Sequence, residues 1–126
     1  METRILIADD EAYIRLLIEQ TLEDLEDEGV ELLAADDGAA ALEIIKSEKP
    51  DLVFLDVMMP AMNGFDVSRA VRKELDMQDV YIVILTAKGQ ELDRQTGEKA
   101  GANAYMTKPF DPDELLDVAK KVLGLT

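Results

Sequence analysis

Three short apolar runs, rich in β-branched residues, constrain the fold of this chain most strongly. They are Ile5–Ala8, Leu52–Leu55 and Tyr81–Leu85. Near-continuous runs of this length are typical of parallel strands that are buried on both faces. Two weaker runs, Val30–Ala35 and Asn103–Met106, indicate outer strands. The sequence therefore predicts five strands.

Helical patterns separate these runs. Apolar positions between Ile14 and Leu25 recur at helical spacing, and a last helix is predicted to follow Asp111, with Pro112 at its first position. Strands that alternate with helices over short connections predict an α/β fold: a doubly wound five-stranded parallel sheet with helices on both faces. The segment Gln90–Ala102 has the weakest pattern, and we expect it to be the mobile element.

Size and charge limit the possible functions. A chain of 126 residues predicts one domain, residues 1–126, with no separate output domain. With 28 acidic and 13 basic residues, the net charge of -15 argues against direct binding to nucleic acid or to an anionic membrane. No stretch has the length of a transmembrane helix, and we expect a cytoplasmic protein.

The chain contains neither cysteine nor histidine. This excludes disulfides, thiolate metal sites, and histidine as a general base, metal ligand or phosphocarrier on this chain. Any chemistry must therefore use carboxylates, hydroxyls and lysine.

Such side chains stand at the strand ends. Asp9 and Asp10 follow the first strand, Asp56 ends the third, Thr86 ends the fourth and Lys108 follows the fifth. Since the carboxyl ends of parallel strands share one edge of the sheet, we expect the five to converge. Clustered carboxylates need a cation or a proton, and oxygen ligands favour a hard metal such as Mg²⁺. Taken alone, the two adjacent acids and Glu11 would more simply cap a helix.

Four segments resemble the receiver domains of two-component response regulators, and together they span essentially the whole chain. They are Ile5–Glu11, Asp56–Gly64, Leu85–Ala87 and Lys108–Phe110. The resemblance implies the flavodoxin-like strand order 2-1-3-4-5. It also implies a switch that takes a phosphoryl group from a sensor histidine kinase or a phosphotransfer protein and then alters a protein-binding surface. That surface is expected on the predicted fourth helix within Gln90–Ala102, the fifth strand and the last helix.

Roles follow from the resemblance position by position. It implies that Asp56 is the phosphoacceptor, and that Asp9, Asp10, Asp56 and the backbone carbonyl of Met58 hold Mg²⁺, for which Mn²⁺ could substitute. Thr86, Ala87 and Lys108 are implied to bind the phosphoryl group and Tyr105 to act as a conformational switch. The Lys108–Pro109 peptide bond is implied to be cis. Such a protein would catalyse its own phosphorylation and dephosphorylation rather than turn over an external substrate.

Other functional classes fit the sequence less well. An aspartyl-nucleophile phosphatase needs a second acid two residues after the nucleophile, where this chain has Met58. A nucleotide- or flavin-binding module needs a glycine-rich loop after the first strand, where Asp9–Ala12 stands. A receiver-like adaptor that is never phosphorylated remains an alternative, because sequence does not reveal turnover.

Overall fold

The strands form one parallel sheet in the order β2-β1-β3-β4-β5, which confirms the predicted fold. The computed structural model describes residues 3–87 and 99–125. The strands are β1 (Thr3–Ala8), β2 (Val30–Ala35), β3 (Leu52–Asp56), β4 (Tyr81–Ala87) and β5 (Ala104–Lys108). In register, Ala8 lies beside Ala35 and Leu55, and Asp56 lies beside Leu85. The carboxyl ends of the strands therefore share one edge.

The helices described are α1 (Ala12–Glu26), α2 (Gly38–Glu48), α3 (Gly64–Arg69) and α4 (Pro112–Leu123). Alternate residues of β1 face opposite sides of the sheet, so Leu6 packs with α2 and α3, whereas Ile7 packs with α1 and α4. Leu52–Leu55 of β3 is fully buried between these two layers. The near-continuous apolar runs are therefore explained by helices on both faces.

Local capping sets where the helices begin. Asp37 caps α2 by accepting the amide N–H of Ala40, and Asn63 caps α3 by accepting that of Asp66. Asp111 caps α4 with Pro112 in its first turn, as predicted. These side chains satisfy backbone donors that a helix leaves without partners.

Helix α3 continues as a π-helical turn, Ala70–Glu74. Arg72 in this turn donates to the carbonyl oxygens of Gly101 at 2.9 Å and Met77 at 2.8 Å, and to Oδ1 of Asn103 at 2.7 Å. The buried hydroxyl of Ser68 donates to the carbonyl oxygen of Ala100 at 2.8 Å. Two side chains of this helix thus hold the backbone that leads into β5.

One predicted strand boundary is wrong, and one predicted segment lies mostly outside the described residues. The fifth strand is Ala104–Lys108, not Asn103–Met106, because the Asn103 side chain accepts the backbone N–H of Ile82 and precedes the strand pairing. Lys108 is thus inside β5 rather than after it. Most of the predicted mobile segment, Gln90–Ala102, lies outside the described residues.

Within the described ranges, none of the helices combines the length and apolar character needed to cross a bilayer.

Candidate functional site

The sheet brings the predicted acids together at its carboxyl edge. Asp9 directly follows β1 and Asp56 ends β3, and these two strands are neighbours. Carboxylate oxygens of Asp9, Asp10 and Asp56 lie within 4.8 Å of one another. Asp9 is fully buried and Asp56 is 5% exposed, whereas Asp10 is exposed. The three acids form a cluster with one side open to solvent.

Asp9 is held by the backbone around it. Its amide donates to the carbonyl oxygen of Ala35 at 3.2 Å, and its Oδ1 accepts the amide N–H of Glu11 at 2.9 Å. Helix α1 begins only after Glu11, whose side chain makes no cap hydrogen bond. Asp9 is therefore fixed with its Oδ2 directed towards the site, which is not the helix-cap arrangement.

Lys108 joins two of these acids. Its Nζ lies 2.7 Å from Asp9 Oδ2 and 2.9 Å from Asp56 Oδ1. The side chain of Lys108 is only 18% exposed. The ammonium therefore offsets part of the repulsion between the carboxylates, and it reaches this place from the far end of the chain because β5 is parallel to β1 and β3.

The electrostatic balance leaves Asp56 a weaker acid than usual. Burial raises the pKa of Asp56 to about 6, and the negative charges of Asp9 and Asp10 act in the same direction, while the hydrogen bond from Lys108 opposes them. Burial would lower the pKa of Lys108, but its hydrogen bonds to Asp9 and Asp56 outweigh this and raise it. At neutral pH the site therefore combines a lysine cation with a carboxylate that is mostly ionised.

The segment after Asp56 is compact. Val57 and Met59 are buried, whereas the side chain of Met58 is 75% exposed. Gly64 closes this segment, because its amide donates to the carbonyl oxygen of Val57 at 3.0 Å. A Cβ on Gly64 would overlap the carbonyl oxygen of Asp56. Among the described residues of this segment the positive φ belongs to Ala61, at 69°, and Gly64 is needed for close approach.

Thr86 lies on β4, the strand next to Asp56, and Tyr105 lies on β5, one strand further from it. Thr86 is buried and stands one residue beyond Leu85, the register partner of Asp56. Tyr105 pairs with Ile84, is half-buried and packs against the cluster shared with α2 and α3. The Lys108–Pro109 peptide bond is cis, the isomer that the resemblance implied. Ala87 ends β4 beside Lys108.

Two charged residues near the site were not predicted from the sequence to contribute to it. Oε1 of Glu11 lies 3.9 Å from Lys108 Nζ, and its side chain is largely exposed. Arg15 on α1 donates through Nη1 to the carbonyl oxygen of Asp9 at 2.7 Å. The position of Arg15, one helical turn after Glu11, was the available signal, since one turn brings its side chain back towards the start of the helix.

The donor set suits a hard cation. The cluster offers carboxylate oxygens only, and the chain has no histidine or cysteine that would favour a softer metal. Three acids against one lysine leave negative charge in excess, and the exposed Asp10 gives access from solvent. The residues present therefore fit a divalent cation bound through oxygen.

A five-stranded parallel sheet of order 2-1-3-4-5 with helices on both faces is a flavodoxin-like fold, and acids lie at its carboxyl edge. Residues 5–120 match the family model described as "Response regulator receiver domain". The chain belongs to this family, and is thus a receiver domain of the two-component type. Its acidic pocket and Lys108 are consistent with phosphorylation-dependent signalling.

Known proteins agree with this assignment. The chain is 47% identical over 112 residues to "Probable transcriptional regulator ycf27" of Galdieria sulphuraria, covering 89% of this chain and 42% of that protein. It is 41% identical over 123 residues to "Alkaline phosphatase synthesis transcriptional regulatory protein PhoP" of Bacillus subtilis, covering 98% and 49%. The chain thus spans about half the length of the curated relatives it matches.

Solved structures show the same fold over nearly the whole length of both chains. A putative response regulator from Chloroflexus aurantiacus matches with a TM-score of 0.87 and 32% identity, covering 98% of this chain and 99% of that one. Chemotaxis response regulator CheY4 of Vibrio cholerae matches with a TM-score of 0.84 and 33% identity, covering 97% and 99%.

Proposed function

We propose that Asp56 accepts a phosphoryl group from a phosphohistidine of a partner sensor kinase or phosphotransfer protein. The observation that carries the proposal is the position of Lys108, whose Nζ lies 2.9 Å from Asp56 Oδ1 and 2.7 Å from Asp9 Oδ2. A buried carboxylate beside a lysine and two further acids fits a nucleophile whose product carries spread negative charge.

The chain's own residues supply most of this chemistry. Because the pKa of Asp56 is about 6, the nucleophile is mostly ionised at neutral pH. A carboxylate oxygen of Asp56 bonds to phosphorus while the P–N bond of the phosphohistidine breaks and the imidazole leaves with the electron pair. Lys108 balances charge on a phosphoryl oxygen, and the hydroxyl of Thr86 donates to another.

The metal would be Mg²⁺. Asp9, Asp10, Asp56 and the backbone carbonyl of Met58 would hold it, since these oxygens are of the type it prefers. When bound, Mg²⁺ neutralises negative charge on the transferring phosphoryl group. Mn²⁺ prefers the same oxygen ligands and could replace it.

Phosphorylation would bias an existing equilibrium of the surface near Thr86, Ala87 and Tyr105. Tyr105 lies on β5, the strand that also carries Lys108, so a change in the lysine's partners acts on the strand of the switch residue. The downstream protein would bind the predicted surface formed by Gln90–Ala102, β5 and α4. Most of Gln90–Ala102 lies outside the described residues.

The phosphoryl donor would dock beside the acids. Among the described residues, the large hydrophobic side chains that are exposed are Tyr13, Leu16 and Met58, at 70%, 53% and 75%. Tyr13 and Leu16 lie in the first two turns of α1, just after the Asp9–Asp10 pair, and Met58 follows Asp56. Exposed apolar side chains that follow the acids of the site in the sequence fit contact with a protein partner.

Intact-mass measurement after incubation with Mg²⁺ and acetyl phosphate tests the proposal. We expect the gain of one phosphoryl group by the wild-type chain and none by Asp56→Asn, which should keep the fold. Uptake by another residue in Asp56→Asn would overturn the assignment. No uptake by a folded wild-type chain, even from a panel of histidine kinases, would favour the phosphorylation-independent adaptor.

We also propose that residues 1–126 act as a single receiver domain in the cytoplasm, the usual location of this family.

A further inference from the structure

The segment of residues 57–63, named here the acceptor loop, starts immediately after Asp56. Its first amide, that of Val57, donates to the carbonyl oxygen of Leu85 at 3.2 Å. At its far end, the amide of Gly64 returns to the carbonyl oxygen of Val57 at 3.0 Å. Both ends of the acceptor loop are therefore fixed next to Asp56.

The middle of the acceptor loop rests on a different element. Gly38, the first residue of α2, is buried, and its amide donates to the carbonyl oxygen of Pro60 at 3.2 Å. A Cβ on Gly38 would overlap the carbonyl oxygen of Met62 and lie 2.6 Å from its carbonyl carbon. Since these are backbone atoms, no side-chain rotation could make room. The start of α2 thus packs directly on the backbone of the acceptor loop.

The contacts of Gly38 lie on both sides of Ala61, the one residue of the acceptor loop with a positive φ. Ala61 has a φ of 69°, in the left-handed region that side chains other than glycine rarely adopt. Such a conformation persists only where the surrounding structure imposes it. The two residues that touch Gly38, Pro60 and Met62, flank Ala61 on either side.

We propose that Gly38 is a positioning residue for the reaction at Asp56. It acts through the acceptor loop: the missing side chain lets α2 approach Pro60 and Met62, and this approach fixes the loop that carries the Met58 carbonyl. The inference rests on the proposed function, because the proposed function assigns the Met58 carbonyl as a ligand of Mg²⁺. Gly38 lies outside the acidic cluster and touches no reacting atom.

Gly38→Ala tests the inference in the full chain, with Gly29→Ala as the matched control. Gly29 has a φ of 88° and no atom within 4 Å of an added Cβ, so alanine there strains the backbone without touching the acceptor loop. Thermal unfolding across a MgCl₂ titration gives the dissociation constant for Mg²⁺, which is the half-saturating concentration, from a fit of stability against Mg²⁺ concentration. Intact mass then gives the rate of phosphoryl uptake from acetyl phosphate at each Mg²⁺ concentration.

We expect Gly38→Ala to raise the half-saturating Mg²⁺ concentration about tenfold, because small displacements of site groups are costly. At saturating Mg²⁺ its uptake rate should approach that of the wild type. Gly29→Ala should lower the unfolding temperature yet leave the Mg²⁺ requirement within about twofold, as expected for a distant site. Equal Mg²⁺ requirements of the two variants would overturn the inference while the proposed function stands.

A second pair of variants decides the matter if Gly38→Ala does not fold. Asp37→Ala removes the side chain that caps α2, so the first turn loosens without an added methyl group, whereas Asp37→Asn removes the charge but keeps an acceptor. We expect a higher Mg²⁺ requirement for Asp37→Ala than for Asp37→Asn, and equal requirements would overturn the inference. A wild-type chain that takes up no phosphoryl group would overturn the proposed function and, with it, this inference.

Discussion

Lys108 Nζ lies 2.9 Å from Asp56 Oδ1, and the same nitrogen lies 2.7 Å from Oδ2 of the fully buried Asp9. One ammonium thus serves two carboxylates at once. A phosphoryl group on Asp56 would add negative charge next to this lysine, so we expect the pairing between Lys108 and Asp9 to change when Asp56 is phosphorylated. The effects of substitution at this site should therefore depend strongly on pH and on Mg²⁺.

Stability should fall with rising pH because of Asp56. Its pKa is about 6 in the folded chain against 3.8 in the unfolded chain, so between these values the folded state binds more protons, and stability is lost as pH rises through this window. Without Mg²⁺, we expect the free energy of unfolding of the wild type, relative to Asp56→Asn, to drop by about 1–2 kcal/mol from pH 4 to pH 7. Urea unfolding in the presence of a chelator measures this difference in the free energy of unfolding at each pH. A difference between the two proteins that stays constant with pH would contradict the prediction.

Lys108→Ala should destabilise the chain most when Mg²⁺ is absent. Removal of the ammonium leaves Asp9 and Asp56 without their shared cation, a loss on the order of 3 kcal/mol for a buried pair. Added Mg²⁺ should restore part of this, because it would supply charge to the same carboxylates. Urea unfolding with and without Mg²⁺ measures the effect, with the exposed Lys121→Ala as control; an equal loss in both buffers would argue against a shared site.

The same variant tests the switch. We expect phosphorylated Lys108→Ala to bind Mg²⁺ but to leave the Tyr105 ring resonances unchanged in NMR spectra, whereas phosphorylation of the wild type or of Lys121→Ala shifts them. If the Tyr105 resonances of Lys108→Ala shift on phosphorylation as far as those of the wild type, Lys108 does not couple Asp56 to Tyr105.

Arg72→Met should lower stability without touching the acids. The guanidinium makes hydrogen bonds to Gly101, Met77 and Asn103. A hydrogen bond that involves a charged group has a net contribution of about 1.5–3 kcal/mol, and less where the group is partly exposed to water, as Arg72 is. We expect a loss of about 2–3 kcal/mol in urea unfolding. The neighbouring Lys73 is exposed, so Lys73→Met should change stability by less than about 0.5 kcal/mol. Similar losses for both would show that the three bonds contribute little.

Leu16→Ala should separate docking from chemistry. The side chain is 53% exposed on α1, so its removal should slow phosphoryl transfer from a cognate kinase, identified by phosphotransfer profiling, about fivefold or more, as for a contact residue of an interface. Uptake from acetyl phosphate should be unchanged, since that donor needs no docking surface. Gln20→Ala, at an exposed position of the same helix, is the control. If Leu16→Ala slows phosphoryl uptake equally from the kinase and from acetyl phosphate, the substitution has damaged the site itself.

The fold was largely predictable because its strongest signals are local. The buried runs of β1, β3 and β4 must be covered on both faces, and that requirement alone leads to parallel strands with helices between them. Parallel strands in turn place Asp9, Asp56 and Lys108 at one edge. The boundaries of β5 were wrong because Asn103 looks like the start of a strand, while its side chain takes the N–H of Ile82, a contact that no local pattern reveals.

The supporting contacts of the site were less predictable. Gly38 and Gly64 resemble turn glycines, and only the packing of two helix starts against one loop shows that neither has room for a side chain. Arg15 and Arg72 look like solvated surface residues, yet both donate to backbone carbonyls of other elements. Roles that depend on a second state, such as those of Thr86 and Tyr105, cannot follow from one arrangement of atoms.

The exposed side chain of Met58 offers a practical route to watching this chemistry. The chain has no cysteine, so Met58→Cys would create a unique thiol at a position whose side chain is 75% exposed. A small fluorophore or spin label attached there would sit two residues from Asp56 without replacing any side chain of the acidic cluster. Such a reporter could follow metal binding, phosphoryl transfer and partner contact in real time in one labelled protein.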